Sequence, residues 1–533
     1  TGVFALYDLI GLDLMLDVVD CLRDALPADD PFNQLAAELP LVNRLVEQGY
    51  TGNKGAGGFY RRGPQGKEAV DLRTGEYRGL RQPAFNPSAV IAQGGLRALL
   101  EHESPGGRFA AHVLGKTLAY AASLVPDVSA QVLPVDEAMK LGFNWTHGPF
   151  ELLDQLSVDW FVQRLRDQGE QVPDFLERLQ GGPLYRIASG RVQLAVGDGE
   201  YAHLERLPGV QRLADVTRPQ QPLASNSAAT LWDLGDGVAC VEFHTKANAL
   251  EQKSMDMLRE ATSIVGDRYQ ALVIHNDAPH FSMGANLPFF LQAARDAAWD
   301  SIEQMLAEFQ QTCYGLKYAP FPVIGAPAGM ALGGGCEVLL HCDALYAHAN
   351  TVCGLVETSV GLIPAGGGCK EMLWRWSDAE DLTAVAVEAL RLIGGAVTAG
   401  SPVEAVPMRF FREQDRWVMN RDRVLLGAKS MALAAVPDYA PPAPAMLATG
   451  GAAAWDRMMA ALDDRADELT SHDRFVNERL ATVLVGGDRQ QPRQCQEDEL
   501  FALEREMFRK LIETPETQAR IDHTLRTGKP LRN

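Results

Sequence analysis

An α/β layered domain in the middle of the chain, with mostly helical regions before and after it, is the fold class these 533 residues predict. Three observations predict it. Apolar strand-like runs alternate with helical stretches between Gly237 and Ala347. Apolar residues recur at three- and four-residue spacing before about residue 205 and again from about Asp378. A polar, Pro-containing stretch separates the first pattern from the second. The chain is too long for one core, so two to four domains are expected.

The first 205 residues read as a duplicated, mostly helical unit. Gly2-Val3-Phe4-Ala5-Leu6-Tyr7-Asp8-Leu9 is echoed by Gly148-Pro149-Phe150-Glu151-Leu152-Leu153-Asp154-Gln155. Each copy later reaches a similar close: Tyr60-Arg61 running to Gly75-Glu76-Tyr77, and Tyr185-Arg186 running to Gly199-Glu200-Tyr201. Leu12, Leu16, Val19 and Leu22 have amphipathic helical spacing, and Gly52 to Tyr60 is a Gly-rich turn leading into a short extended pair. We place the first copy at 1–125, the second at 126–205 and a linker at 206–228. The α/β domain follows at 229–400. Gly237–Phe243, Ala271–Ile274, Phe321–Gly325 and Ala344–Ala347 are its strands, and Glu251–Val265 is a helix. Residues 401–533 form a charged helical region interrupted by the Pro/Ala/Gly stretch from Pro441 to Ala454.

Composition narrows the function. Asp and Glu number 69 against 49 Lys and Arg, a formal charge of -20, which argues against a nucleic-acid or anionic-membrane surface. The longest uncharged stretch, between Lys317 and Glu337, contains three Pro and several Gly and cannot be a spanning helix. Eight scattered Cys (21, 240, 313, 336, 342, 353, 369 and 495) without CxxC pairs suit reduced thiols in a cytoplasmic compartment, not a disulfide frame or a metal site.

The residues able to do chemistry cluster late in the α/β region. Gly333-Gly334-Gly335 lets a backbone approach a ligand with its N–H groups free, and a helix continuing through Cys336–Cys342 aims its positive end at whatever sits there. That suits a carbonyl oxygen becoming an enolate, where one such donor contributes about 3–4 kcal/mol in other enzymes. The loop Phe281-Ser282-Met283-Gly284-Ala285-Asn286 is placed to supply a second N–H. Glu337 and, twenty residues later, Glu357 lie among Leu, Val, Cys and Gly. Unpaired carboxylates are costly in such surroundings, so the two suggest an acid/base pair with separated pKa values.

Ala328 to Glu337, with Glu357 and the Pro364–Gly368 loop, resembles the crotonase superfamily and, within it, enoyl-CoA hydratase. The resemblance implies a crotonase-type ββα superhelix for the α/β domain. It also implies an oxyanion hole from the Ala285 and Gly334 N–H groups, and catalysis by Glu337 and Glu357. Lys246, Ala247, Ala249, Gly284 and Gly333 would line the CoA thioester, with Lys246 near the CoA phosphates. Isomerases of the family typically lack the first carboxylate, so having both favours hydration. Asn286 stands where many relatives carry Asp, and the His244–Leu250 loop is shorter than usual.

The stretches Gly2–Asp13, Gly52–Tyr60 and Val135–Phe150 resemble the helical C-terminal domains of 3-hydroxyacyl-CoA dehydrogenases. Met419–Arg423 and Thr527–Asn533 resemble chains of fatty-acid β-oxidation in which dehydrogenase and hydratase are fused, dehydrogenase first. No GxGxxG opens a βαβ unit. The resemblance therefore implies that the NAD-binding domain and the dehydrogenase's catalytic Ser, His and Asn lie upstream of Thr1, and that His147 is not their substitute. The expectation is an enoyl-CoA hydratase needing no metal and no redox cofactor, with NAD serving only the missing dehydrogenase domain. An acyl-CoA is its substrate, and a thiolase subunit and self-association are candidate partnerships. An enoyl-CoA isomerase and a non-catalytic scaffold for a thiolase are the competing readings.

Overall fold

A computed structural model describes residues 2–35, 39–64, 66–81, 85–487 and 491–533. Chain contacts divide the molecule into two units, one holding the residues up to Ala188 with Val192–Leu204, the other holding Glu205–Asn533.

The first unit carries the duplication in its geometry. In one copy, helices Val3–Ile10 and Leu12–Ala25 precede a three-stranded antiparallel sheet of Tyr60–Gly63, Gly66–Val70 and Tyr77–Gly79. In the other, helices Pro149–Leu156 and Val158–Asp167 precede a sheet of Tyr185–Ala188, Arg191–Ala195 and Tyr201–His203. The Asp8 carboxylate accepts hydrogen bonds from the Phe59 and Tyr60 N–H groups at 2.6 and 2.8 Å. Asp154, at the matching position, accepts from Leu184 and Tyr185 at 2.6 and 2.8 Å. The Tyr77 hydroxyl donates to Gly58 O, and the Tyr201 hydroxyl to Pro183 O. Arg61 stacks over Tyr77 and Arg186 over Tyr201.

The boundary expected at residue 125 is corrected by the packing. Leu100, Leu118, Ala122 and Val125 share one core with Phe150, Phe161 and Leu194. Leu12, Leu45, Phe59 and Val70 form a core of their own. Helices Pro87–Glu101 and Pro105–Ser123 thus belong with the second copy, because their apolar faces are buried there.

The second unit is built on a seven-stranded sheet whose spatial order follows the chain: β1 (Ala224–Ser225), β2 (Ala229–Asp233), β3 (Val238–Phe243), β4 (Ala271–Ile274), β5 (Val323–Gly325), β6 (Ala344–His348) and β7 (Arg416–Val418). The β1–β2 and β2–β3 pairs are antiparallel, and every later pair is parallel. Alternate residues face opposite ways: Leu272 and Ile274 enter one core, Ala271 and Val273 the other. Both faces are covered, which is why these strands read as unbroken apolar runs.

After β3, β4, β5 and β6 the chain makes a short extended step into a second, smaller layer before continuing. The steps meet through Leu250–Ala285, Ser282–Ala331 and the parallel strands Met330–Leu332 and Val352–Gly354. Helices Gln252–Arg268, Leu287–Arg295, Gly334–Leu340 and Gly368–Arg375 follow the successive steps. Strand, short strand, helix, repeated turn after turn, is the ββα superhelix.

Two expected boundaries change here. The 206–228 stretch is not a bare linker: it holds helix Leu213–Thr217 and strand β1, which pairs with β2. Residues 401–533 are not a separate region, since Leu480, Leu500, Phe508 and Ile521 lie in the same core as Leu272 and Leu339. The tail returns to this body, where the buried Arg520 donates to Asn533 Oδ1 at 2.7 Å.

Candidate active site

The site forms where three successive turns of the superhelix present loop ends side by side. From the second turn comes Gly284-Ala285, held by Leu250, whose N–H donates to Gly284 O at 2.8 Å. From the third comes Gly333-Gly334, the start of helix Gly334–Leu340. Gly284 has φ +94° and Gly333 has φ +53°, conformations that side chains disfavour. The two loops touch: a Cβ on Gly284 would lie 3.5 Å from the Gly334 nitrogen, and one on Gly334 would lie 3.5 Å from the Ala285 nitrogen. Among the described residues neither the Ala285 nor the Gly334 N–H has a hydrogen-bond acceptor. Two free amides this close make a cradle for one oxygen.

The fourth turn supplies Glu357, the first residue of the 3-10 turn Glu357–Val360. Its Oε1 lies 3.0 Å from where a Gly333 Cβ would sit. The residue as a whole is half-buried, yet Oε2 is shielded from solvent and has no hydrogen-bond partner among the described residues. Burial, reinforced by the charge of Glu337, pushes its pKa well above the usual carboxylate range.

Glu337 projects from helix Gly334–Leu340 and is fully buried. Its Oε1 accepts from the Gly366 and Gly368 N–H groups at 2.7 and 2.9 Å. Burial pushes its pKa up to about 7, and the two amides hold it from rising further. The pair is therefore unequal in surroundings: two amides solvate the Glu337 carboxyl, while burial and the Glu337 charge raise that of Glu357 well above its usual range.

Gly284, Ala285, Gly333, Gly334, Glu337 and Glu357 are thus brought together. Ala247 and Lys246 lie in the 3-10 turn Lys246–Asn248. This turn sits beside the Gly284 loop, since the Met283 N–H donates to Ala247 O at 3.2 Å. Ala249 follows it and accepts from the Thr245 hydroxyl. The Lys246 side chain is exposed. Asn286 caps helix Leu287–Arg295 by accepting from the Phe289 N–H, a task its amide oxygen performs as an aspartate would.

Three contributors escaped the sequence reading. The Phe309 ring packs between Gly334 and Gly366. Gln310, beside it, donates to Ala365 O and Phe501 O, each at 3.0 Å. Glu504, on the distant helix Glu497–Ile512, accepts from Gly367 and Lys370 N–H groups. Its signal was present, because Glu504 lies on the apolar stripe of Leu500, Met507 and Leu511. Behind the site Lys317, Lys370, Glu371 and Glu497 form a buried ionic cluster, with Lys317 on Glu371 and Lys370 on Glu497 at 2.7 Å each.

Comparison with known proteins places both halves of the chain. The family model "Enoyl-CoA hydratase/isomerase" matches residues 233–383, and "3-hydroxyacyl-CoA dehydrogenase, C-terminal domain" matches 1–62 and 107–201. A "Probable 3-hydroxyacyl-CoA dehydrogenase" of Bacillus subtilis is 30% identical over 100% of this chain and 69% of its own length. A "Putative fatty acid oxidation complex trifunctional enzyme" of Rickettsia felis is 32% identical over 70% of this chain, which spans about half (49%) of that relative. A solved enoyl-CoA hydratase of Bacillus halodurans aligns at 17% identity and a TM-score of 0.39, over 56% of this chain and 99% of that one. The chain belongs to the 3-hydroxyacyl-CoA dehydrogenase family of its Bacillus subtilis relative, and carries within it a region that matches the enoyl-CoA hydratase/isomerase model.

Proposed function

We propose that the second unit hydrates trans-2-enoyl-CoA to 3-hydroxyacyl-CoA, with Glu337 as base, Glu357 as acid, and the Ala285 and Gly334 amides holding the thioester oxygen. The observation that carries this reading is the meeting of two unequal carboxyl groups at a pair of unpaired amides.

The ionised Glu337 takes a proton from water as its oxygen bonds to C3. The electron pair of the double bond moves toward the thioester oxygen, whose growing charge the two amides bind. Protonated Glu357 then delivers its proton to C2. One hydroxyl and one proton are added and no electrons are exchanged, so the step balances without a redox cofactor. Gly284 and Gly333 let the thioester reach the amides. Ala247 and Ala249 border the CoA side, with Lys246 placed for its phosphates.

NAD serves the dehydrogenases of this family, but the residues present do not fit it. The strands described in the first unit form antiparallel three-stranded sheets, and the Gly52–Gly58 loop leads into a hairpin where a dinucleotide needs a helix N-terminus. Among the described residues no helix is long and apolar enough to cross a membrane. We place the reaction in the cytoplasm, in keeping with eight free thiols and a CoA substrate. A thiolase subunit that consumes the dehydrogenated product, and association with further copies of the chain, complete the proposal. The name of the Rickettsia relative, a fatty acid oxidation complex trifunctional enzyme, is in keeping with an assembly of several activities.

The test follows the enoyl-thioester absorbance of crotonyl-CoA with and without NAD. The expected result is loss of the band at equal rate in both. An unchanged band, with isomerisation of a 3-enoyl-CoA instead, would assign the isomerase reading.

A further inference from the structure

Glu337 owes its place to two amides of the 364–368 loop, so whatever holds that loop holds the carboxyl. Glu504 holds it from the other side. It is fully buried on helix Glu497–Ile512, with Oε2 accepting from the Gly367 N–H at 2.8 Å and Oε1 from the Lys370 N–H at 2.9 Å. The amides along this bend are thus divided between two carboxyls, 366 and 368 going to Glu337, 367 and 370 to Glu504. Gln310 locks the junction, its Nε2 reaching Ala365 O and Phe501 O at 3.0 Å and Glu504 Oε2 at 3.4 Å. A helix start needs only a neutral hydroxyl or amide as cap. A fully buried carboxyl that no cationic side chain contacts, among the described residues, is a costly way to meet that need.

We propose that Glu504 is a positioning residue for the hydration, fixing the Gly366–Gly368 amides so that Glu337 faces the reacting water. This rests on the hydratase reading. The groups facing Glu504 are Glu337 from helix Gly334–Leu340, Glu357 from the fourth turn, Cys369 and Lys370 from helix Gly368–Arg375, and Gln310 from helix Trp299–Lys317. Burial pushes Glu504 up to about 8, the Glu337 charge works in the same direction, and the Lys370 charge and the two N–H bonds work against it. Where Glu337 ionises, near 7, Glu504 is therefore largely protonated, and it acts on the place of Glu337 rather than on its charge.

The experiment compares E504Q and E504D with the unchanged chain, measuring crotonyl-CoA hydration across pH. E504Q keeps the shape but loses one acceptor. It should lower kcat about tenfold or more at nearly constant KM. It should leave the acid limb of kcat/KM near 7, because Glu504 is still largely protonated where Glu337 ionises. E504D should likewise lower kcat, since its shorter side chain withdraws the carboxyl from the Gly367 and Lys370 amides. Parental kcat in E504Q, even with a lowered Tm, would make Glu504 a structural cap and overturn the proposal. If E504Q does not fold, the E504D profile decides, and a parental kcat there overturns it equally. An unchanged chain inactive on crotonyl-CoA sinks the hydratase reading and this proposal with it; an active one with indifferent variants sinks only the latter.

Discussion

Glu337 and Glu357 carry the same functional group into different surroundings, and the difference assigns their roles. Glu337 is solvated by two backbone N–H groups and Glu357 Oε2 by none, so the first gives up its proton at lower pH. Glu337→Gln and Glu357→Gln should each slow crotonyl-CoA hydration about 10²–10⁴-fold with folding intact, as circular dichroism would check. A base that must be ionised makes kcat/KM climb as pH rises through about 7, the value to which burial pushes Glu337. The raised pKa of Glu357 places the opposite, alkaline limb at higher pH, where its proton is lost. Stopped assays over a pH series would show the bell. These two acids were legible in the text because each is a charged residue in an apolar neighbourhood. Their inequality was not, since it comes from amides thirty residues downstream.

At the scale of elements, the superhelix works by ending each short strand at a loop that must bend sharply. Gly333 combines φ +53° with a Cβ direction that runs to within 3.0 Å of Glu357 Oε1. Gly333→Ala should therefore strain the turn and push the fourth-turn carboxyl aside. We expect about a 100-fold loss of kcat with little change in melting temperature, readable by parallel kinetics and calorimetry. The strands and the helix after residue 251 could be read from apolar runs and spacing, as β3, β4, β5 and β6 demonstrate. Helix Glu497–Ile512 could be expected only as a charged amphipathic segment. That its stripe contains a glutamate aimed at the bend after Pro364 depends on a packing partner more than a hundred residues away, which no local pattern records.

On the scale of the molecule, the duplication makes a quantitative expectation. Asp8 and Asp154 perform the same task, each tying a helix to the first strand of its sheet through two N–H groups. Replacing either by Asn leaves one amide facing an NH2 group. It should cost about 1–3 kcal/mol in urea unfolding, of similar size in both copies, while crotonyl-CoA hydration is unaffected. In the second unit, Lys370→Met removes one cation from the buried cluster of Lys317, Glu371 and Glu497. It should destabilise that unit by about 3–5 kcal/mol in the same measurement. The repeat was visible from two short matching strings, but helices Pro87–Glu101 and Pro105–Ser123 could be assigned to a copy only once their buried faces were seen. The embedding of the last helices in the hydratase body has a practical meaning for anyone dissecting this polypeptide. A gene fragment stopping near residue 400 would encode both acids and both amides, yet leave the bend that aims one of them without its rear support. Such a fragment should be a poor enzyme however faithfully its own sequence were copied.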